Sequence, residues 1–157
     1  MVVPKFRAWG RNGNYPGNPS EKFEMFYDVS VVTTYKDNEQ HVIADFGMYN
    51  ESEYNGTEII DYTLMQSTGL FDKNGKEIFE GDIVRYTWDM LSDQNATEKG
   101  KKVRISKVFW SDWRASWAVG RKFCNSDLFR YARNGNTVEI IGDVYQNPEL
   151  LEETDDK

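Results

Sequence analysis

The sequence predicts a mainly β protein with minor α content, and three observations carry that expectation. Runs rich in β-branched and aromatic residues recur along the chain. Asn-Gly pairs and isolated glycines punctuate those runs, as tight turns require. No long segment keeps the 3.6-residue apolar period of an amphipathic helix.

Taken in order, KFRAWG opens the chain as a first strand, and KFEMFYDVSVVTTY and HVIADFGMY follow as a pair around the polar turn KDNEQ. EIIDYTLMQ leads into TLMQSTGLFDKNGKEIFEGDIVRY, the most structured stretch of the sequence. Its Asn74-Gly75 pair predicts a type I′ hairpin turn, because both residues tolerate the positive φ of the two central positions. The same reading applies to Asn12-Gly13, Asn55-Gly56 and Asn134-Gly135. Gly81 interrupts the following strand and predicts a bulge or bend before Ile83, Val84 and Tyr86 resume it. KVRISKVFWS, ASWAVGRKF and TVEIIGDVY supply further short strands. A hairpin, a kink and several short strands together predict a small, strongly bent barrel of the SH3-like kind.

The expected organisation is therefore an N-terminal β-rich region over residues 1–62 and an SH3-like barrel domain over residues 63–157. One short helix is expected in DLFRYARNG, capped by Asn125 or Ser126, with Leu128, Phe129 and Tyr131 inward and Gly135 ending it. The polar stretch Asp89 to Lys102 reads as a long loop. NPELLEETDDK reads as one helical turn docked through Leu150 and Leu151, followed by a solvated end.

At 157 residues the chain can bury a core without disulfide staples, and nine Phe, nine Tyr and five Trp enlarge what each core position buries. The single Cys124 has no internal partner, which fits a reducing compartment. With neither a basic-then-apolar leader nor an 18-residue apolar run, the expected location is the cytoplasm, with no membrane contact.

The net charge of −7 argues against indiscriminate coating of nucleic acid. It conceals one basic segment. Lys99, Lys101, Lys102, Arg104, Lys107, Arg114, Arg121, Lys122, Arg130 and Arg133 face only Asp112 and Asp127 between residues 99 and 133, while the flanking sequence is acidic. Phe109, Trp110, Trp113, Trp117, Phe123, Phe129 and Tyr131 interleave with these cations. Cations can track a phosphate backbone and exposed aromatics can stack bases. The plainer reading is that aromatics fill a core and cations occupy outward positions. In β alternation Lys102 and Arg104 share one face, with Val103 and Ile105 on the other as in an ordinary half-buried strand. Lys99, Lys101, Lys102, Arg104, Lys107, Trp110, Trp113, Arg114, Arg121 and Lys122 are the candidate contacts to nucleic acid or a protein partner.

Catalytic and metal chemistry find little support. DKNGKEIFEGD starts like a calcium loop, but Glu77 stands at the sixth position, where glycine is needed. No phosphate-cradling glycine motif occurs. His41, the one histidine, reads as a strand-edge surface residue, and a zinc site would have to draw its remaining ligands from carboxylates. Cys124 reads as a small hydrophobe rather than a nucleophile paired with His41. Glu80 and Asp82 could act as an acid–base pair on one strand face, but acids beside a turn are common. No catalytic, cofactor or metal residues are expected.

KFRAW, LMQSTGLFDKNGKEIFEGDIV and VEIIGDVYQNPELLE, in that order, resemble the YopX family of phage and prophage proteins from Gram-positive bacteria. The resemblance implies a variable N-terminal part and a C-terminal SH3-like barrel, and it brings no catalytic residues. Three readings follow. The first is a non-catalytic phage or prophage accessory module that binds a protein partner or assembles with itself as a homo-oligomer. The alternative is a nucleic-acid-binding small barrel using residues 99–133, and an enzyme comes third.

Overall fold

The computed structural model describes residues 5–13, 17–35, 37–48, 54–89, 101–121, 124–133 and 135–152. The chain is mainly β, with eleven strands and two short helices among those residues. It divides into two compact units, Met1–Ser67 and Thr68–Lys157. Among the described residues no helix is long and apolar enough to cross a membrane.

The first unit holds β1 (Phe6–Asn12), β2 (Phe23–Thr33), β3 (Gln40–Met48) and most of β4 (Tyr54–Phe71). All its pairings are antiparallel, and they run in a circuit. β1 pairs with β2, β2 with β3, β3 with β4, and β4 returns to β1. Ala8, Val29, Val42, Ala44 and Ile59 form the buried cluster, with Phe6, Phe26, Tyr62 and Leu64 packed on it.

Strands that close on each other this tightly must bend, and the sequence bends each of three strands at one aspartate. Asp28 (φ 55°), Asp45 (φ 54°) and Asp61 (φ 48°) are left-handed. Each lies where the pairing slips, so that two residues face one: Tyr27-Asp28 opposite Arg7, Asp45-Phe46 opposite Gly56, and Asp61-Tyr62 opposite Gly10. These are β-bulges, which sharpen local twist. Aspartate tolerates the conformation better than a β-branched or aromatic residue would. Gly10 faces its bulge because nothing larger fits: a Cβ there would meet Ile59 Cγ2 at 2.8 Å and the Ile60 carbonyl oxygen at 2.9 Å.

The second unit contains the end of β4 paired with β5 (Glu77–Phe79), and a ladder of β6 (Asp82–Asp89), β7 (Lys101–Lys107) and β11 (Glu139–Asp143). A second ladder comprises β8 (Phe109–Ser111), β9 (Ser116–Arg121) and β10 (Cys124–Asp127). Helices α1 (Leu128–Ala132) and α2 (Glu149–Glu152) complete it. Ile78, Val84, Tyr86, Val108, Val119, Leu128, Tyr131 and Val138 make one buried cluster drawn from both ladders, β5 and α1. The Tyr86 and Tyr131 rings meet at 4.7 Å.

Several local expectations are corrected. Gly75 takes a left-handed φ of 82°, but Asn74 does not join it, so the turn is not type I′. Instead Gly75 N–H donates to the Asp72 carbonyl at 2.9 Å and Asp72 N–H to the Lys76 carbonyl at 2.8 Å. Asn12-Gly13 ends β1, and Asn55-Gly56 lies inside β4. Gly81 (φ 87°) does mark a bend, placed between β5 and β6. Helix α1 buries Leu128 and Tyr131 but leaves Phe129 52% exposed, because five residues present too narrow a face for all three. Its N-cap is Asp127, with no side-chain capping bond. Most of the expected loop between Asp89 and Lys102 lies outside the described residues, but its ends are strand: Asp89 closes β6 and Lys101 opens β7.

Candidate interaction surface

The motifs that make this sequence distinctive build structure rather than a reactive site. Asp72 is buried, and its carboxylate accepts backbone N–H groups from Asn74 and Lys76 at 2.9 Å and from Ile140 at 3.1 Å. Asp82 is buried and accepts the Phe79 N–H at 2.8 Å. That carboxylate caps the turn at Gly81, which answers the acid–base reading of Glu80 and Asp82. Buried Asp143 accepts the N–H groups of Tyr145 and Gln146 at 2.9 Å and the Gln146 side-chain amide at 2.6 Å. Each carboxylate satisfies amides that a turn would otherwise strand. Glu139 bridges Lys73 Nζ at 2.9 Å and an Arg85 guanidinium nitrogen at 3.0 Å, and those two bonds lower its pKa.

Among the described residues, the hairpin of β8 and β9 carries two exposed tryptophans. Trp110 stands opposite Trp117 in register, and their rings meet edge to face at 5.2 Å. Trp117 packs against the core while Trp110 stays 46% exposed. The turn between the strands carries Trp113, which is 88% exposed. Ala115 in the same turn is left-handed, with φ 53°.

The residue behind Trp113 is not a free cation. Arg114 Nε donates to Asn125 Oδ1 at 2.5 Å, and its Nη2 donates to the Asn125 carbonyl at 2.7 Å. Asp127 Oδ1 lies 3.8 Å from its Nη1 and also accepts the Ser116 hydroxyl at 2.6 Å. The guanidinium carbon sits 5.4 Å from the Trp113 ring centre. Arg114 thus ties the turn to β10 and holds a cation against the exposed indole. The sequence offers Asn125 only as a helix-cap candidate, and it does not mark Asn125 or Asp127 as partners of Arg114. Asp127 being one of two acids in a basic segment was the available signal.

The other candidates divide. Arg104, Lys107 and Arg121 are exposed. Ser106, buried between the first two, accepts the Gly120 N–H at 2.8 Å and so joins β7 to β9, directly before Arg121. In β7, Arg104 and Ser106 lie opposite Tyr86 and Val84; Ser106 is buried and Arg104 exposed, while Val103, expected on the buried side, is 64% exposed. Lys101 and Lys102 pair with Asp89 and Trp88 in β7, while Lys99 and Lys122 lie outside the described residues. The α1 segment adds Arg133 over the exposed Phe129 ring at 5.1 Å, and Arg130 over Tyr131 at 5.7 Å. The structure therefore brings Trp110, Trp113 and Arg114 together on one hairpin.

The protein is similar to the protein EF1440 from Enterococcus faecalis, known as a crystal structure. The two share 27% sequence identity over 96% of this chain and 99% of that one, with a TM-score of 0.58. No curated protein matches. The YopX protein family matches residues 5–152, so nearly all of this sequence carries its pattern. The chain belongs to the YopX family.

Proposed function

We propose that this protein is a non-catalytic interaction module of a phage or prophage, working in the bacterial cytoplasm, and that it assembles with a second copy of itself through the Trp110–Trp113 hairpin. The observation that carries the reading is Trp113. A tryptophan at 88% exposure keeps a large apolar area in water, and burying it against a partner recovers a hydrophobic gain of about 25 cal/mol per Å². Trp is also the side chain that most often anchors protein interfaces. Arg114, pinned by Asn125 and Asp127, holds the turn rigid and lowers the ordering cost of docking. The reading of the second unit as an SH3-like barrel belongs to the same proposal, supported by two ladders and a hairpin sharing one core.

Sedimentation velocity from low to high micromolar protein tests it. A concentration-dependent dimer that weakens in Trp113→Ala is expected, and a monomer throughout overturns self-assembly. The second reading is single-stranded nucleic-acid binding, favoured by the cation beside Trp113 and by exposed Arg104, Lys107 and Arg121. Fluorescence anisotropy of labelled single strands addresses it. Binding that falls steeply with salt and is lost in Trp113→Ala supports this second reading, and no binding at low salt removes it.

A further inference from the structure

The first unit carries a second cluster of chemistry-bearing groups, on the hairpin between β2 and β3. We propose that His41, Asp37 and Glu39 form a binding site for a first-row divalent transition metal ion, with zinc the ion tested, and that Glu58 positions the histidine. One ligand atom from each of the three residues lies within 4.8 Å of the others. Asp37 and Glu39 flank the left-handed Asn38 (φ 56°) in the turn between β2 and β3, and His41 follows as the second residue of β3.

The geometry around the ring distinguishes this cluster from a chance grouping of surface acids. His41 Nδ1 is 2.5 Å from Glu58 Oε1, a carboxylate delivered by β4. That bond places a proton on Nδ1, so Nε2, which also lies 3.4 Å from the Thr34 hydroxyl oxygen, is the ring atom left to ligate. Nε2 faces Asp37 Oδ2 at 3.9 Å, too long for a hydrogen bond. Two ligands held at about 2.0–2.2 Å from a tetrahedral ion sit about 3.4 Å apart, so a small closing movement admits one. Asp37 is itself oriented: its Oδ1 accepts the Glu39 N–H at 2.9 Å and the Thr34 hydroxyl, which turns Oδ2 towards the imidazole. A histidine held by a carboxylate from outside is the usual outer-shell arrangement at metal sites, where it fixes the ring and raises its basicity.

One imidazole with two carboxylates suits zinc and its neighbours rather than calcium or magnesium, which favour oxygen ligands throughout. Asp37 and Glu39 are exposed, so an ion reaches the site directly and keeps water in its remaining position.

Isothermal titration of the full chain with zinc chloride, beside calcium chloride, tests the assignment. One equivalent of zinc binding in the micromolar range is expected, with calcium far weaker. His41→Ala and Glu39→Gln should each weaken zinc at least tenfold, and Glu58→Gln roughly 10- to 100-fold, the range for loss of an outer-shell partner. The exposed Glu39 side chain makes Glu39→Gln the variant that cannot be dismissed as misfolded. Zinc binding no tighter than millimolar, or unchanged in His41→Ala and Glu39→Gln, or matched by calcium, overturns the proposal.

Discussion

Arg11 and Asp61 hold each other across the seam between β1 and β4. Arg11 Nε donates to Asp61 Oδ2 at 2.9 Å, and a second guanidinium nitrogen reaches the same oxygen. Asp61 does two jobs there, because its own φ of 48° is the bulge that bends β4 against Gly10. The conformational job is shared with Asp28 and Asp45, while the ion pair is half-exposed and worth about 0–1 kcal/mol.

Backbone conformation, rather than the acidic side chain, is therefore what these aspartates contribute. Asp28→Gly should leave stability unchanged or slightly raised. Asp28→Ala should cost about 1 kcal/mol, since only alanine is strained in the left-handed region. Urea denaturation checks the pair, and equal losses would show that φ is not the reason for Asp28.

Asp72 should be among the least replaceable polar residues. Asp72→Ala strands the N–H groups of Asn74, Lys76 and Ile140, at about 1–3 kcal/mol for each group left without a partner or water. A loss of at least 3 kcal/mol is expected, with Asp72→Asn retaining part of it. A loss under 1 kcal/mol by urea denaturation would mean that water replaces the carboxylate.

Gly142 and Asn147 should couple. A Cβ at position 142 would meet Asn147 Oδ1 at 2.5 Å, and the same oxygen accepts the Asp143 N–H at 3.3 Å. Gly142→Ala is expected to cost about 1–3 kcal/mol through overpacking. Asn147→Gly removes both the amide and the Cβ that would lie 2.9 Å away, so the double variant should lose clearly less than the two single losses together. Additivity in a double-mutant cycle would show that the contact is not the cause.

Exposed and anchored tryptophans should separate by stability. Trp113→Ala should change it by less than about 0.5 kcal/mol, as an exposed position does. Trp117→Ala, packed on the core, should cost about 3 kcal/mol. Thermal unfolding of the two variants distinguishes them, and similar losses would remove Trp113 as a clean probe of binding.

His41 should make the first unit pH-sensitive. Its bond to Glu58 raises its pKa above the ordinary 6.5, supported by the charges of Glu58, Asp37 and Glu39. A raised folded-state pKa gives stability that is fully present below 6.5 and lost as pH rises through the folded value. The denaturation midpoint should therefore fall over that window, and less so in His41→Gln. An imidazole proton resonance titrating at or below 6.5 would contradict it.

The strands were legible because β-branched and aromatic runs report local preference. KFRAWG and HVIADFGMY lie almost wholly within strands, and TVEIIGDVY contains one. β10 was not, because Cys-Asn-Ser-Asp lacks strand propensity and is held by its partner β9. The closed circuit of the first unit was not legible either, since pairing of β1 with β4 is a long-range choice. Asp28, Asp45 and Asp61 inside strand-like runs were the visible sign of it, aspartate being unfavoured in strand interiors. At the candidate surface the sequence identified the tryptophans and cations. It could not tell Arg114, spoken for by Asn125 and Asp127, from exposed Lys107, because that depends on which turn folds onto which strand.

The circuit also has a consequence in time. Phe6 pairs with Gln66, about 60 positions later in the chain, so one flank of the first strand waits until most of the unit has been synthesised. A nascent chain can zip β1 to β2 early, yet its other flank stays open to stray strands until β4 leaves the ribosome. Pausing translation before β4 has emerged from the ribosome should prolong that exposed interval, and pausing once β4 is clear of it should not.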